Sequence, residues 1–190
     1  TTTTSLALAT SWPTSSDAVL IEADPSGGSL AAWLDVSVTP SLSSVVAAVP
    51  RDEGESGVCA VVDSLVRRAA GGLPLLPCPF TVREAGRAVA EASQSVFPAV
   101  IGARSITAIC DHGRVMPTAL PTTIARHELA VSVHRQERAS ASAEAVRLER
   151  CAELVGAVGR ARAGPLGSGF GGRLRPGGAG WRACVTGLRA

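Results

Sequence analysis

Ala18-Val19-Leu20-Ile21-Glu22-Ala23-Asp24-Pro25-Ser26-Gly27-Gly28 is the stretch on which the fold turns. Residues 18–21 are an apolar run short enough for a buried strand. Pro25 stops that strand, because it has no N–H to give to a ladder. Gly27-Gly28 permits a turn with positive φ, and Ser29 stands where the cap of a helix over residues 30–34 belongs. Glu22 and Asp24, one residue apart, leave the strand on the same side of the chain. A strand-to-helix corner of this kind is where open α/β sheets bind ligands. The competing reading is an ordinary turn with solvated acids.

Outward from this corner, two patterns alternate. Residues 73–77 read as a strand, placed near a sheet edge by Pro74 and Pro77. Residues 105–110 form an apolar strand that runs directly into Asp111-His112-Gly113-Arg114, and residues 129–133 form the next. Between the strands, residues 41–49 read as a short helix. Residues 58–70 carry a helical stripe of Val58, Val61, Val62, Leu65, Val66 and Ala69, ended by Gly71-Gly72. Thr81 and Glu84 make a capping box for a helix over 82–97, with Ala85, Ala88, Val89, Ala92 and Val96 on one face. Further helices are expected at 120–127 and 142–158. Strands alternating with helices predict an α/β fold, a mostly parallel sheet with helices on both faces. The chain supplies about four of its strands, at 18–23, 73–77, 105–110 and 129–133. A length of 190 residues suits one such domain.

Glu22-Ala23-Asp24-Pro25-Ser26-Gly27-Gly28 resembles the acidic loop, D/E-x-D-P-x-G-x, that follows the second strand of MinD/ParA-type P-loop ATPases, most closely the divergent actinobacterial members. Thr2-Thr3-Thr4-Ser5-Leu6-Ala7-Leu8-Ala9 is similar to the end of that family's phosphate loop, G-K-T-T-T, and the helix after it. Asp111-His112-Gly113-Arg114 is similar to its Walker B/switch segment, D-x-x-G or D-x-G-R. The resemblance covers residues 2–158 and implies a P-loop NTPase-like domain, incomplete here, that binds ATP with Mg²⁺. It implies that Asp24 polarises or positions the attacking water and that Asp111 holds a Mg²⁺-bound water. Thr2 takes the place of the hydroxyl that ligates Mg²⁺, and Thr2, Thr3 and Glu22 belong to the nucleotide site. It implies a homodimer formed across nucleotide, a partner protein, and a cytoplasmic task in positioning or partitioning cargo such as chromosomes. It also implies that the glycine-rich part of the phosphate loop and the strand before it lie upstream of Thr1, which stands where the loop lysine belongs. The chain contains no lysine at all. Weak or absent hydrolysis is therefore expected, and a pseudo-ATPase acting as a regulatory or protein-interaction module is the first alternative.

Charge gives the second alternative. The net charge is +2, but residues 1–159 hold 12 arginines against all 16 acids, a net −4, and residues 160–190 hold 6 arginines and no acid. The segment 159–190 also carries 10 of the 20 glycines and reads as a Gly/Arg-rich disordered tail. Such a tail is a nucleic-acid binding candidate, although aromatics are only 3% and tyrosine is absent, which leaves little for a stacking platform. Other chemistries fail on spacing. Cys59, Cys78, Cys110, Cys151 and Cys184 stand singly, as in a protein with reduced thiols. With His112, His127 and His134 they match no zinc motif. Gly167-Ser168-Gly169 is no nucleophile elbow. No apolar run is long enough to span a bilayer, and the first residues lack the basic start of a signal peptide.

Overall fold

The computed structural model describes residues 2–12, 18–50, 52–103, 106–114, 129–135 and 181–187. Backbone contacts divide the chain into two compact units, residues 1–115 and 116–190.

The first unit runs α1 (Thr2–Thr10), β1 (Ala18–Glu22), α2 (Leu30–Trp33), α3 (Leu42–Ala48), α4 (Glu55–Leu65), β2 (Arg67–Arg68), β3 (Pro74–Leu76), α5 (Val82–Ala92), α6 (Val96–Gly102) and β4 (Thr107–Asp111). Its four-stranded sheet has the order β2-β3-β1-β4. β1 lies parallel to β3 on one side, with Leu20 opposite Leu75, and parallel to β4 on the other, from Ala18 opposite Thr107 to Glu22 opposite Asp111. All five residues of β1 are buried, the signature of a parallel strand covered on both faces. Period-two alternation sorts its side chains into two layers. Val19, Ile21 and Ala23 join the layer built by α3, α4, α5 and α6. Ala18 and Leu20 join Ala9 of α1 and Leu30 of α2 on the opposite face. Mixed α/β architecture and a mostly parallel sheet are thus as the sequence predicts. The chain passes from β1 to β3 on one side and returns to β4 on the other, which makes the carboxyl end of β1 a switch point of the sheet.

Three elements depart from expectation. The helix expected over 58–70 runs from Glu55 only to Leu65. Arg67–Arg68 is instead drawn into the sheet as an antiparallel neighbour of β3. Gly71 and Gly72, at φ 78° and 80°, form the tight turn between the two strands rather than a helix cap. β3 is consequently not an edge strand, and Pro74 is tolerated because it is the first strand residue. The helix expected over 82–97 breaks after Ala92, and α6 restarts at Val96 with Pro98 in its first turn, where the missing N–H is harmless. Its predicted inner face is nonetheless buried throughout. The Thr81 cap also forms: Thr81 Oγ1 accepts from the Glu84 N–H at 3.3 Å and donates to Glu84 Oε2 at 2.7 Å.

In the second unit, β5 (Leu129–Arg135) and β6 (Trp181–Gly187) pair antiparallel, with Leu129 opposite Gly187 and Arg135 opposite Trp181. The strand expected at 129–133 therefore exists, but in a separate two-stranded sheet. The segment expected to be an unstructured tail contains a strand at its end. The signal was period-two alternation, Trp181, Ala183 and Val185 against Arg182, Cys184 and Thr186, hidden by low average apolarity. The helices expected at 120–127 and 142–158, the boundary at 158/159 and residues 159–180 lie outside the described residues. Among the described residues no helix is long and apolar enough to cross a membrane.

Candidate functional site

The carboxyl ends of β1, β3 and β4 meet around three acids. Glu22 closes β1 and Asp111 closes β4, directly opposite one another in the register. Both are 2% exposed. The Ala23 N–H donates to the Asp111 carbonyl at 2.8 Å, so pairing continues one residue past the strand. The chain then turns through Asp24, whose Oδ1 accepts from the Ser26 N–H at 2.8 Å and from the Ser26 hydroxyl.

Glu22 points inward. Its Oε1 accepts from the N–H groups of Ser29 at 2.6 Å and Leu30 at 2.9 Å, and its Oε2 accepts from the Cys78 N–H at 3.1 Å. The first helical turn of α2 carries unsatisfied N–H groups that need an acceptor. Ser29 occupies the expected cap position but makes no side-chain cap bond; the carboxylate seven residues earlier does that work. An anion at a helix N-terminus is also favoured by the aligned peptide dipoles. Gly28 lets this happen. A methyl group there would sit 2.7 Å from Glu22 Oε2 and overlap the Cys78 carbonyl. Glu22, the residue that the family resemblance assigns to nucleotide binding, is thus engaged by backbone N–H groups of its own corner and of the loop after β3.

Asp24 and Asp111 are brought together through Gly113. Asp111 Oδ1 accepts from the Gly113 N–H at 3.0 Å. Asp24 fills the space beside the same glycine: a methyl group on residue 113 would overlap the Asp24 carboxylate and lie 2.8 Å from its Cβ. Gly113 has φ 62°, the left-handed region that glycine enters without strain. Nothing in the spacing of the two acids, 87 residues apart, announces this contact, although the glycine in Asp111-His112-Gly113-Arg114 carried the signal. Thr2 and Thr3 open α1, which packs against both β1 and β4; Thr2 is half-buried and Thr3 exposed.

Cys78 is the residue that sequence reading passed over. It is fully buried, its N–H goes to Glu22, and its thiol donates to the Asp24 carbonyl at 3.6 Å. Burial, reinforced by the charges of Glu22 and Asp24, pushes the thiol from its ordinary 9.0 up to about 12. Cys110, beside Asp111 on β4, is likewise pushed up to about 12, by burial first and then by Asp111. Both thiols stay protonated near neutrality rather than serving as nucleophiles, and that of Cys78 is a donor. The Asp24 and Asp111 carboxylates are hard oxygen donors of the kind that hold Mg²⁺ with water. Among the described residues no group of three or more His, Cys, Asp and Glu side chains forms a protein-only cage. Compared with protein-family models, with curated proteins and with solved structures, the chain matches none.

Proposed function

We propose that this chain is a MinD/ParA-like nucleotide-binding protein with a P-loop NTPase-like domain, in which Asp24 and Asp111 form the cation-binding half of a Mg²⁺-ATP site. One observation carries the reading: two carboxylates from neighbouring parallel strands converge on one glycine at the switch point of the sheet. Two acids gathered at one glycine repel an anionic phosphate unless a cation lies between them, so their chemistry calls for Mg²⁺. Thr2 would add its hydroxyl and Thr3 the N-terminal turn of α1, where free N–H groups favour phosphate. When bound, Mg²⁺ neutralises charge on phosphate oxygens. Asp24, half-buried two residues after β1, would orient a water by accepting its hydrogen. Asp111, deeper and bonded to Gly113, would hold a second water. In this reading a second copy pairs across the nucleotide, a partner protein is engaged, and the task is positioning or partitioning of cargo in the cytoplasm.

The absence of lysine favours a second form of the same reading, a pseudo-ATPase that binds without turnover and serves as a regulatory module. A helix N-terminus contributes on the order of 1 kcal/mol to anion binding, whereas micromolar affinity needs about 8 kcal/mol. Mg²⁺-ATP binding by these 190 residues is therefore expected to be no tighter than roughly millimolar, with no measurable hydrolysis. The nucleic-acid alternative rests on the tail at 159–190, of which only residues 181–187 lie among the described residues, and no structural observation favours it.

Titration with Mn²⁺, followed by paramagnetic broadening of amide resonances, tests the site. The Ser26 and Gly113 amides are expected to broaden first, and Asp24→Asn or Asp111→Asn to abolish the effect. Broadening centred elsewhere, or unchanged in both variants, would remove the proposal. Calorimetry with ATP, with and without Mg²⁺, then separates a binding module from a chain with no nucleotide site.

A further inference from the structure

We propose that Glu22 is a positioning residue, one that never touches the ligand but holds Asp24 beside Gly113, next to Asp111, through Cys78. This rests on the cation site proposed above. Asp24 is held within its own turn by the Ser26 N–H and hydroxyl on its Oδ1 and by the Gly27 N–H on its carbonyl at 3.2 Å, and three further points tie that turn to the rest of the site. One is the Ala23 N–H on the Asp111 carbonyl. A second is the Gly28 N–H on the Pro79 carbonyl, 2.8 Å. The third is a relay that begins at Glu22. Glu22 Oε2 holds the Cys78 N–H, and the Cys78 thiol holds the Asp24 carbonyl. Glu22 Oε1 meanwhile ties down Ser29 and Leu30, where the turn ends. One buried carboxylate thus gathers the corner after β1, the loop after β3 and, through its register partner, the end of β4.

The chemistry of the relay is specific. Cys78 spans the two acids by donating from both its N–H, to Glu22, and its S–H, to the Asp24 carbonyl. A carboxylate at position 22 is required because all three groups facing it are N–H donors. An amide could keep the two bonds of one oxygen, but it would turn an NH₂ toward one donor. The space is shaped to fit, since Gly28 leaves no side chain between Glu22 Oε2 and the Cys78 carbonyl.

Glu22→Gln in the full chain is the first test. Residues that orient metal ligands from behind are worth about 10- to 100-fold in metal affinity. The variant is expected to weaken Mn²⁺ binding at Asp24 and Asp111 by that factor. The Cys78 amide proton should move upfield as its charged acceptor disappears, and the Ser26 and Gly113 amides should shift with it. Cys78→Ala deletes only the thiol step and serves if Glu22→Gln does not fold. It is expected to shift the Ser26 and Gly113 amides and weaken Mn²⁺ several-fold, leaving the Ser29 and Leu30 amides in place. Unmoved Ser26 and Gly113 amides in these variants would overturn the positioning role whether or not Mn²⁺ binds. Shifted amides with undiminished Mn²⁺ affinity would overturn it too. Normal amide behaviour of this kind in a wild-type chain that binds no Mn²⁺ would instead leave the relay standing as architecture and sink the cation site.

Discussion

At the scale of single residues, the site is held by close approaches that only glycine permits. Gly113 has φ 62°, and the Asp24 carboxylate fills the space a side chain would need. Gly113→Ala is expected to destabilise the first unit by about 1–3 kcal/mol, the usual range for strain at such a backbone position. It should also push Asp24 away from Asp111. Urea denaturation together with the Ser26 amide shift checks both effects. The thiols make a second prediction. Cys78 is raised to about 12 from an ordinary 9.0. Above pH 9 the unfolded chain therefore binds fewer protons than the folded one, and unfolding free energy falls as pH rises. The contribution is complete below pH 9 and is lost toward pH 12, at up to about 1.4 kcal/mol per pH unit for each such thiol. The chain has no lysine and no tyrosine, so among its side chains the cysteines alone titrate in that window. Cys78→Ala is expected to flatten the alkaline limb of the stability curve, and a limb of unchanged steepness would refute the assignment.

Among the elements, the helices show how local signals survive or yield. The start of α5 was legible because its cap is local: Thr81 and Glu84 are three residues apart and bond to each other. Thr81→Ala is expected to cost about 1 kcal/mol, read as a lowered midpoint in thermal melts with no change at the acidic site. The start of α2 at Leu30, after Ser29, is as expected, but the side chain that accepts its first N–H groups is not Ser29 but Glu22, which reaches it from the preceding strand. The end of α4 was misread for a related reason. Val66 and Ala69 continue the helical stripe, yet pairing of Arg67 and Arg68 with β3 offers those backbone groups sheet partners instead. Helical periodicity records which face is apolar, but it does not record whether a neighbouring strand competes for the backbone.

For the whole molecule, the order β2-β3-β1-β4 leaves β4 with β1 as its sole strand partner among the described residues. An edge five residues long is a template for further pairing. The chain is expected to self-associate as concentration rises, and sedimentation showing one monomeric species across a wide concentration range would contradict this. How the molecule came to be organised divides cleanly by range. The sequence alone determined the buried strand, read at 18–23, the turn at Pro25 to Gly28, the cap at Thr81 and the apolar faces of the helices. Each follows from dihedral limits, side-chain period or a hydrogen bond spanning a few residues. It also placed two acids at strand ends, Asp24 after β1 and Asp111 closing β4. Only the tertiary structure decided that Glu22 turns inward to serve Cys78, 56 residues away, that Asp24 rests on Gly113, and that residues 129–135 pair with 181–187. Those outcomes depend on which distant backbone groups remain without partners once the local elements have formed. Burial makes every such group find one, and no local pattern says which.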